Sequence, residues 1–403
     1  MMEARHTRPL ESLLEHLSVR SHGEDAEALV FRSSGELTLG AEIELQLIDP
    51  STFNLVSRAE EVLKAGGGWR NLQKEFFQST IEIATAKCAD AHEIKRDLGL
   101  SFDRIDTIGR KLGLAFSTTG CHPFARYADR RVTPTPRYHE LCDRNRWLIQ
   151  RMTVYGLHVH IGMESGDACI KFNNFFLHLL PHLLALSASS PFWQGEDTGL
   201  ASSRLTTYEA LPTAGQPYLV PSWAEFEQLY NTLRACGSIR SVKDLWWDVR
   251  PSPGYGTLEL RVCDGIASLD ETVAIIAFIH GLAHWFRDHS RWLDDVPPPP
   301  RWLARENKWR AMRFGLDAEL VTSLDGRVKP LREEILDWCG RIAANTAELG
   351  YGPYLITLHQ LLEKGNSSSR QRAAFGRTGS LEKVVAHNIA EFRGRRPTWS
   401  EVP

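Results

Sequence analysis

No two cysteines of this chain stand in a CxxC arrangement, and the total of seven is odd. That pattern excludes a disulfide framework of the small secreted kind and a cysteine zinc site. Long apolar runs are missing as well. The two richest stretches, residues 175–186 and 273–286, are broken by His178, Pro181, His182, His280 and His284, and they fall short of the roughly 18 residues a membrane span needs. The start, MMEARHTRPLESLLEHL, is charged and has no apolar centre of the secretory type, so a cytoplasmic protein is expected. No basic cluster stands out, and 47 Lys+Arg against 50 Asp+Glu leave a formal net charge of -3. Neither nucleic acid nor an anionic membrane is therefore an expected partner, and small molecules are. There is no GxxxxGKS/T loop, no GxGxxG turn opening a helix after a strand, and no GxSxG elbow. P-loop, dinucleotide and hydrolase-elbow chemistry are set aside.

What is present is an ordinary globular composition over 403 residues, 42% hydrophobic and 24% charged, with an unusual distribution of its acids. Four stretches alternate apolar and polar residues: TLGAEIELQ (38–46), QSTIEIAT (78–85), YGLHVHIG (155–162) and GTLELRV (256–262). Successive side chains of a strand point to opposite faces. Glu42 and Glu44 then share a face, as do His158 and His160, and Glu259 and Arg261. If the four strands join, one face of the sheet is apolar and the other is a bed of carboxylates, imidazoles and a guanidinium.

The remaining chain reads mainly as helix, over 91–112, 302–313, 331–349, 354–364 and 381–392, with a further short amphipathic helix over 9–18. The apolar spacing of Ile94, Leu98, Phe102, Ile105 and Ile108 is helical. Residues 167–187 read as a helix kinked at Pro181. Ser222 with Glu225, and Ser268 with Glu271, read as capping boxes. Another strand is expected over 114–119, an ordered loop over 121–139, and a mobile loop at NSSSRQR (366–372). Alternating strands argue against a doubly wound parallel sheet, whose strands are buried on both faces. The expected fold class is α+β: a curved antiparallel sheet forming an open cleft, with helices on its outer face. No internal repeat or long linker divides the chain, so one catalytic domain is expected over 35–392, after an N-terminal helical segment (1–34) and before a short tail (393–403).

Taken singly, each polar residue has an ordinary alternative. Glu42 and Glu44 fit a surface strand, and a lone HxH such as His158 and His160 is a weak metal signal. Glu75 fits a solvated turn, whereas the phase that buries Ile81 and Ile83 sends Glu82 into the cleft. Recurrence in four strands favours a site. Oxygen-dominated ligation favours Mg²⁺ or Mn²⁺ over zinc. Arg250 and Arg261 flank a turn built from Pro251, Pro253, Gly254 and Gly256, where two guanidiniums can converge on an anion. Glu259 beside Arg261 sets a metal ligand next to a phosphate clamp, the combination phosphoryl transfer uses.

Together these motifs resemble the carboxylate–amine ligases of the type 2 glutamate–cysteine ligase group, which share the glutamine synthetase catalytic fold. The resemblance is carried by TLGAEIELQL (38–47), EFFQSTIEIAT (75–85), HPFARY (122–127), PRYH (136–139), GLHVHIGM (156–163), LPTAGQP (211–217), WWDVRPSPGYGTLELRVCD (246–264), ENKWRAMRFGLDAEL (306–320) and SRQR (369–372). It implies metal-ligand roles for Glu42, Glu44, Glu75, Glu82, His158 and Glu259, with two Mg²⁺ or Mn²⁺ ions. It implies phosphate roles for Arg250 and Arg261 and a nucleotide or substrate contact for His160. Arg126, Arg137, Arg204 and Tyr208, in or beside family-like loops, become candidates for binding the carboxylate substrate. The implied reaction uses ATP to activate a carboxylate as an acyl phosphate, which an amine converts to an amide; glutamate and cysteine are the expected pair. The same chemistry with another acid or amine, and a non-catalytic metabolite-binding protein on this fold, are the alternatives. A homo-oligomer, a dimer in the first instance, is expected from the family's habits.

Overall fold

The structure is a computed structural model and describes residues 29–399. The helix expected over 9–18 lies outside them. Seven strands form one sheet: β1 (Leu39–Ile48), β2 (Leu72–Lys74), β3 (Thr80–Ala84), β4 (Ala115–Ser117), β5 (Leu157–Gly162), β6 (Val249–Ser252) and β7 (Thr257–Leu260). Their order is β6-β7-β5-β1-β3-β2, with β4 paired to the far end of β1. All these pairings are antiparallel, as the alternating pattern requires.

The apolar phase of each strand is buried in a single core. Leu39, Ala41, Ile43 and Leu45 of β1 join Ile81 and Ile83, Leu157, Val159 and Ile161, and Leu258 and Leu260. Three helices cover that face, α1 (Ala91–Leu112), α3 (Gly166–Phe176) and α5 (Leu269–Asp288). In α1 the buried side is Ile94, Leu98, Phe102, Ile105 and Ile108, the stripe its spacing predicts. Asp90 caps its start by accepting from the N–H of Glu93, and Gly113 ends it in a left-handed conformation. Helix α5 is apolar nearly all round because it lies between the sheet and a further layer containing α6 (Leu331–Arg341) and α7 (Gly352–Lys364).

Several expectations are corrected. The helix read over 167–187 is two, α3 (Gly166–Phe176) and α4 (Leu180–Ser187). Pro181 sits in the first turn of α4, where its missing N–H has no partner to lose. The loop expected over 121–139 gives way at Pro136 to α2 (Pro136–Asn145), with Thr135 as its cap. The helix read over 331–349 divides into Leu331–Arg341 and Ala343–Glu348. Ser268 caps α5, but Glu271 does not complete a capping box; its carboxylate turns to Arg370 instead.

The largest correction concerns residues 366–372. They are not a mobile loop but the start of α8 (Ser367–Thr378), capped by Asn366. Arg370 is buried between Glu271 of α5 and Glu391 of α9 (Leu381–Gly394), at 2.6 and 2.7 Å. Gln371 donates to the carbonyl of Ser189 at 2.7 Å. A polar run is ordered here because buried acids far away in sequence neutralise it.

Candidate active site

The polar phase of the same strands forms the floor of a cleft of about 710 Å³. Register sets its layout. Glu42 stands opposite His158, Glu44 opposite Glu82, Glu259 opposite His160, and Arg250 opposite Glu259. The β6–β7 turn closes through Gly256, whose φ is +67° and where a Cβ would fall 1.7 Å from the carbonyl oxygen of Arg32. Only glycine fits there.

Two groups of side chains that could each hold a metal ion result. One oxygen or nitrogen from each of Glu42, His158 and Glu259 lies within 4.8 Å of the others, and the same holds for Glu44, Glu75 and Glu82. In the first group the Glu42 carboxylate lies 3.3 Å from His158 Nδ1 and 3.3 Å from His160 Nε2. His160 Nδ1 is paired at 2.9 Å with the hydroxyl of Thr257. His158 Nε2 is buried with no hydrogen-bond partner. In the second, Glu44 accepts from the N–H of Gly156 at 2.6 Å and Glu75 from the N–H of Phe76 at 3.0 Å. Glu75 therefore lines the cleft rather than a solvated turn.

The two arginines of the hairpin do converge on an anion, and it is Glu259. Arg250 donates to it from Nη2 and Nε at 2.6 and 3.1 Å, and to the carbonyls of Lys243 and Leu245. Arg261 pairs with the other oxygen of Glu259 and reaches the hydroxyl of Tyr208 at 3.4 Å.

Electrostatically the floor has two halves. Burial raises the Glu82 carboxyl well above the usual carboxylate range, and the charges of Glu42, Glu75 and Glu44 add to the effect. Glu44 and Glu75 are raised too, by burial first. Among the described residues no Lys, Arg or His forms an ion pair with these three. In the other half burial is opposed and outweighed. Hydrogen bonds and charge from His158 and His160 hold Glu42 well below its ordinary value, and Arg250 and Arg261 do the same for Glu259. Burial, with the Arg261 charge, lowers His158; for His160 burial is overcome by Glu42 and Glu259, and it is raised. Three crowded acids without a cation suit a hard divalent ion bound through oxygen. The group containing His158 suits Mg²⁺ or Mn²⁺ with an imidazole among the ligands.

Of the other expected residues, Arg137, Arg204 and Tyr208 line the cleft. Arg137 is paired with Asp244 at 3.1 Å. Arg126 is not brought to the cleft; it is exposed, ahead of a short turn. Sequence reasoning missed Tyr138, which α2 presents to the cleft, and Tyr255 at the β6–β7 turn. The signal for Tyr138 was the Thr135-Pro136 pair, a helix start. A second cavity of about 390 Å³, reached past Arg70 and Lys87, shares Glu42, Gln73, His160 and Tyr255 with the cleft.

An antiparallel sheet with one apolar face, and a polar face bearing two adjacent carboxylate-rich groups under paired arginines, defines a class: the glutamate–cysteine ligase fold. Its likeness to solved structures is direct. The glutamate–cysteine ligase of Francisella tularensis, solved in complex with AMP, superposes with a TM-score of 0.61 at 12% identity, over 93% of this chain and 91% of that one. A bifunctional glutathione synthetase from Pasteurella multocida gives 0.59 at 15%, over 89% of this chain and 52% of that one. The family model for glutamate-cysteine ligase family 2 matches residues 38–387. Two sequence relatives are each named "Putative glutamate--cysteine ligase 2". That of Bdellovibrio bacteriovorus is 44% identical over 89% of this chain and 95% of its own length, and that of Gloeobacter violaceus 41% over 88% and 97%. The chain belongs to glutamate–cysteine ligase family 2 and is an ATP-dependent carboxylate–amine ligase.

Proposed function

We propose that this ligase joins glutamate to cysteine, giving γ-glutamylcysteine with ADP and phosphate. The observation that carries the reading is the pair of ligand groups side by side on one sheet face, beneath Arg250 and Arg261. An oxygen of the γ-carboxylate attacks the γ-phosphorus of ATP and ADP leaves. The amine nitrogen then attacks the acyl carbon, phosphate departs, and the nitrogen loses a proton.

Glu42, His158 and Glu259 would hold one divalent ion, and Glu44, Glu75 and Glu82 another. Such ions offset charge on the nucleotide phosphates. Arg261, on the cleft floor between Glu259 and Tyr208, faces charge on the transferring group, and Arg250 fixes Glu259 from the opposite side. The two cavities share a wall at Glu42 and His160, so nucleotide and acid can approach the same ligands from separate sides, with His160 on the nucleotide boundary.

The test is ADP release by pure protein with Mg²⁺, ATP and a panel of acids and amines. Release that requires glutamate and cysteine together is expected. Dependence on a different pair would move the proposal to that pair. ATP binding without stimulation by any pair would refute turnover and leave a metabolite-binding protein.

A further inference from the structure

Six arginines fall between residues 367 and 396. Four have acid partners: Arg370 pairs with Glu271 and Glu391, Arg372 with Asp197, Arg393 with Asp106 and Arg395 with Asp103. Arg377 of α8 and Arg396, just past α9, have none among the described residues. Those two are the members of the six that line a cavity of about 630 Å³. Lys364, the last residue of α7, lines it as well and is likewise without an acid partner among the described residues. The one carboxylate in the lining, Asp270 of α5, is paired with Lys95 at 3.0 Å. The cavity shares no residue with the catalytic cleft or with the smaller cavity beside it.

A single exposed cation is solvated and carries no meaning by its lack of a partner. Three about one hollow differ, because they repel one another and because a concave surface of one sign concentrates counter-ions. The wall formed by the tail is held in place. Thr398 donates its N–H to Glu391 at 2.8 Å, and Trp399 donates its Nε1–H to the carbonyl of Gly365 at 3.3 Å. The Lys364 ammonium lies 4.9 Å from the centre of the Trp399 ring, a cation–π contact that sets its position. Glu391 is wholly buried and also accepts from Arg370 at 2.7 Å, so one acid ties the tail to α8. Thr357 and Gln360 of α7 add neutral hydrogen-bonding groups to the lining.

We propose that this cavity binds a small metabolite bearing two or more phosphate groups, at a site separate from that of the ligase reaction. Guanidinium forks match phosphate oxygens bidentately, and a phosphate brings more than one negative charge per group, which suits three converging cations better than a carboxylate does. The volume exceeds what one phosphate fills and lies in the range of small-molecule sites.

Calorimetric titration of the whole protein with inorganic pyrophosphate, in EDTA and without ATP, tests the proposal. Pyrophosphate should bind, and more tightly than citrate, which carries comparable charge on carboxylates alone. The double variant Arg377→Gln/Arg396→Gln should weaken pyrophosphate binding by about tenfold or more, since each change removes a charged donor. Both side chains are exposed, so the circular dichroism spectrum and ADP release without pyrophosphate should stay at wild-type values. The charge-keeping pair Arg377→Lys/Arg396→Lys should retain part of the affinity. Absence of pyrophosphate binding, equal binding by the glutamine double variant, or tighter binding of citrate overturns the proposal.

Discussion

Glu44 and Glu82 face each other directly across the β1–β3 register, both on the cleft side, with no cation paired to either among the described residues. Two acids in that position repel one another and resist ionisation. The arrangement is unfavourable for an isolated sheet and favourable for one that binds a divalent ion.

Replacing one of the two separates those effects. Glu82→Gln should stabilise the protein in EDTA by roughly 1 kcal/mol, because it removes a buried like charge, while reducing the Mg²⁺ dependence of both stability and turnover. Thermal unfolding with and without Mg²⁺ is the measurement. An unchanged response to Mg²⁺ would remove Glu82 from the ligand set.

Glu259 occupies the opposite environment, clamped by two arginines. Glu259→Gln should lower ADP release by on the order of 10²-fold or more. It should also reduce stability, since Arg250 and Arg261 then face a weaker partner inside the protein. Steady-state assays and circular dichroism give the two readouts, and wild-type turnover in this variant would contradict its assigned role.

His122 predicts an acid-side loss of stability. Burial pushes its pKa down to about 3 from an ordinary 6.5. The neutral ring has both nitrogens in use, donating to the carbonyl of Phe53 at 2.9 Å and accepting the N–H of Ala125 at 3.0 Å. The unfolded chain takes up the proton first, so the contribution is complete above about pH 6.5 and declines as pH falls toward about 3, by a few kcal/mol at most. His280 and His178, lowered by burial to about 3 and about 4, add in the same direction. In denaturant titrations at pH 7 and pH 4.5, His122→Gln should lose less stability than wild type. Parallel losses would sink the assignment.

Arg370 tests the corrected segment. Arg370→Leu leaves Glu271 and Glu391 buried without their cation and should cost about 3–5 kcal/mol. Adding Glu271→Gln and Glu391→Gln should recover a large part of that loss, because the triad acts as a unit. A marginal effect of the single change would mean that α8 is held by its apolar contacts instead.

The strands and their acid face were legible because the period of two is a local signal, repeated in four places. Helix α1 was legible from its stripe and its caps. Strand β2, only three residues long, offered no pattern to read. Asp264, Lys308 and Arg370 were missed for a different cause. Their partners, Ser202, Asp248, Glu271 and Glu391, lie 21 to 99 residues away, and a charged residue gives no sign in the local sequence of a counter-ion at that distance. Arg126 shows the converse: a family-like loop contained the residue, but the backbone turned it outward.

The order of the strands along the chain bears on how the protein is made. Glu42 and Glu82 emerge early from the ribosome, His158 later, and Glu259 with its two arginines later still. Until about residue 261 has been synthesised, the first ligand group lacks one of its three members and the sheet lacks β6 and β7. The nascent chain therefore passes through a stage in which Glu42, Glu44, Glu75 and Glu82 are present but Arg250 and Arg261 are not, and divalent ions in the surrounding solution can supply counter-charge to that face.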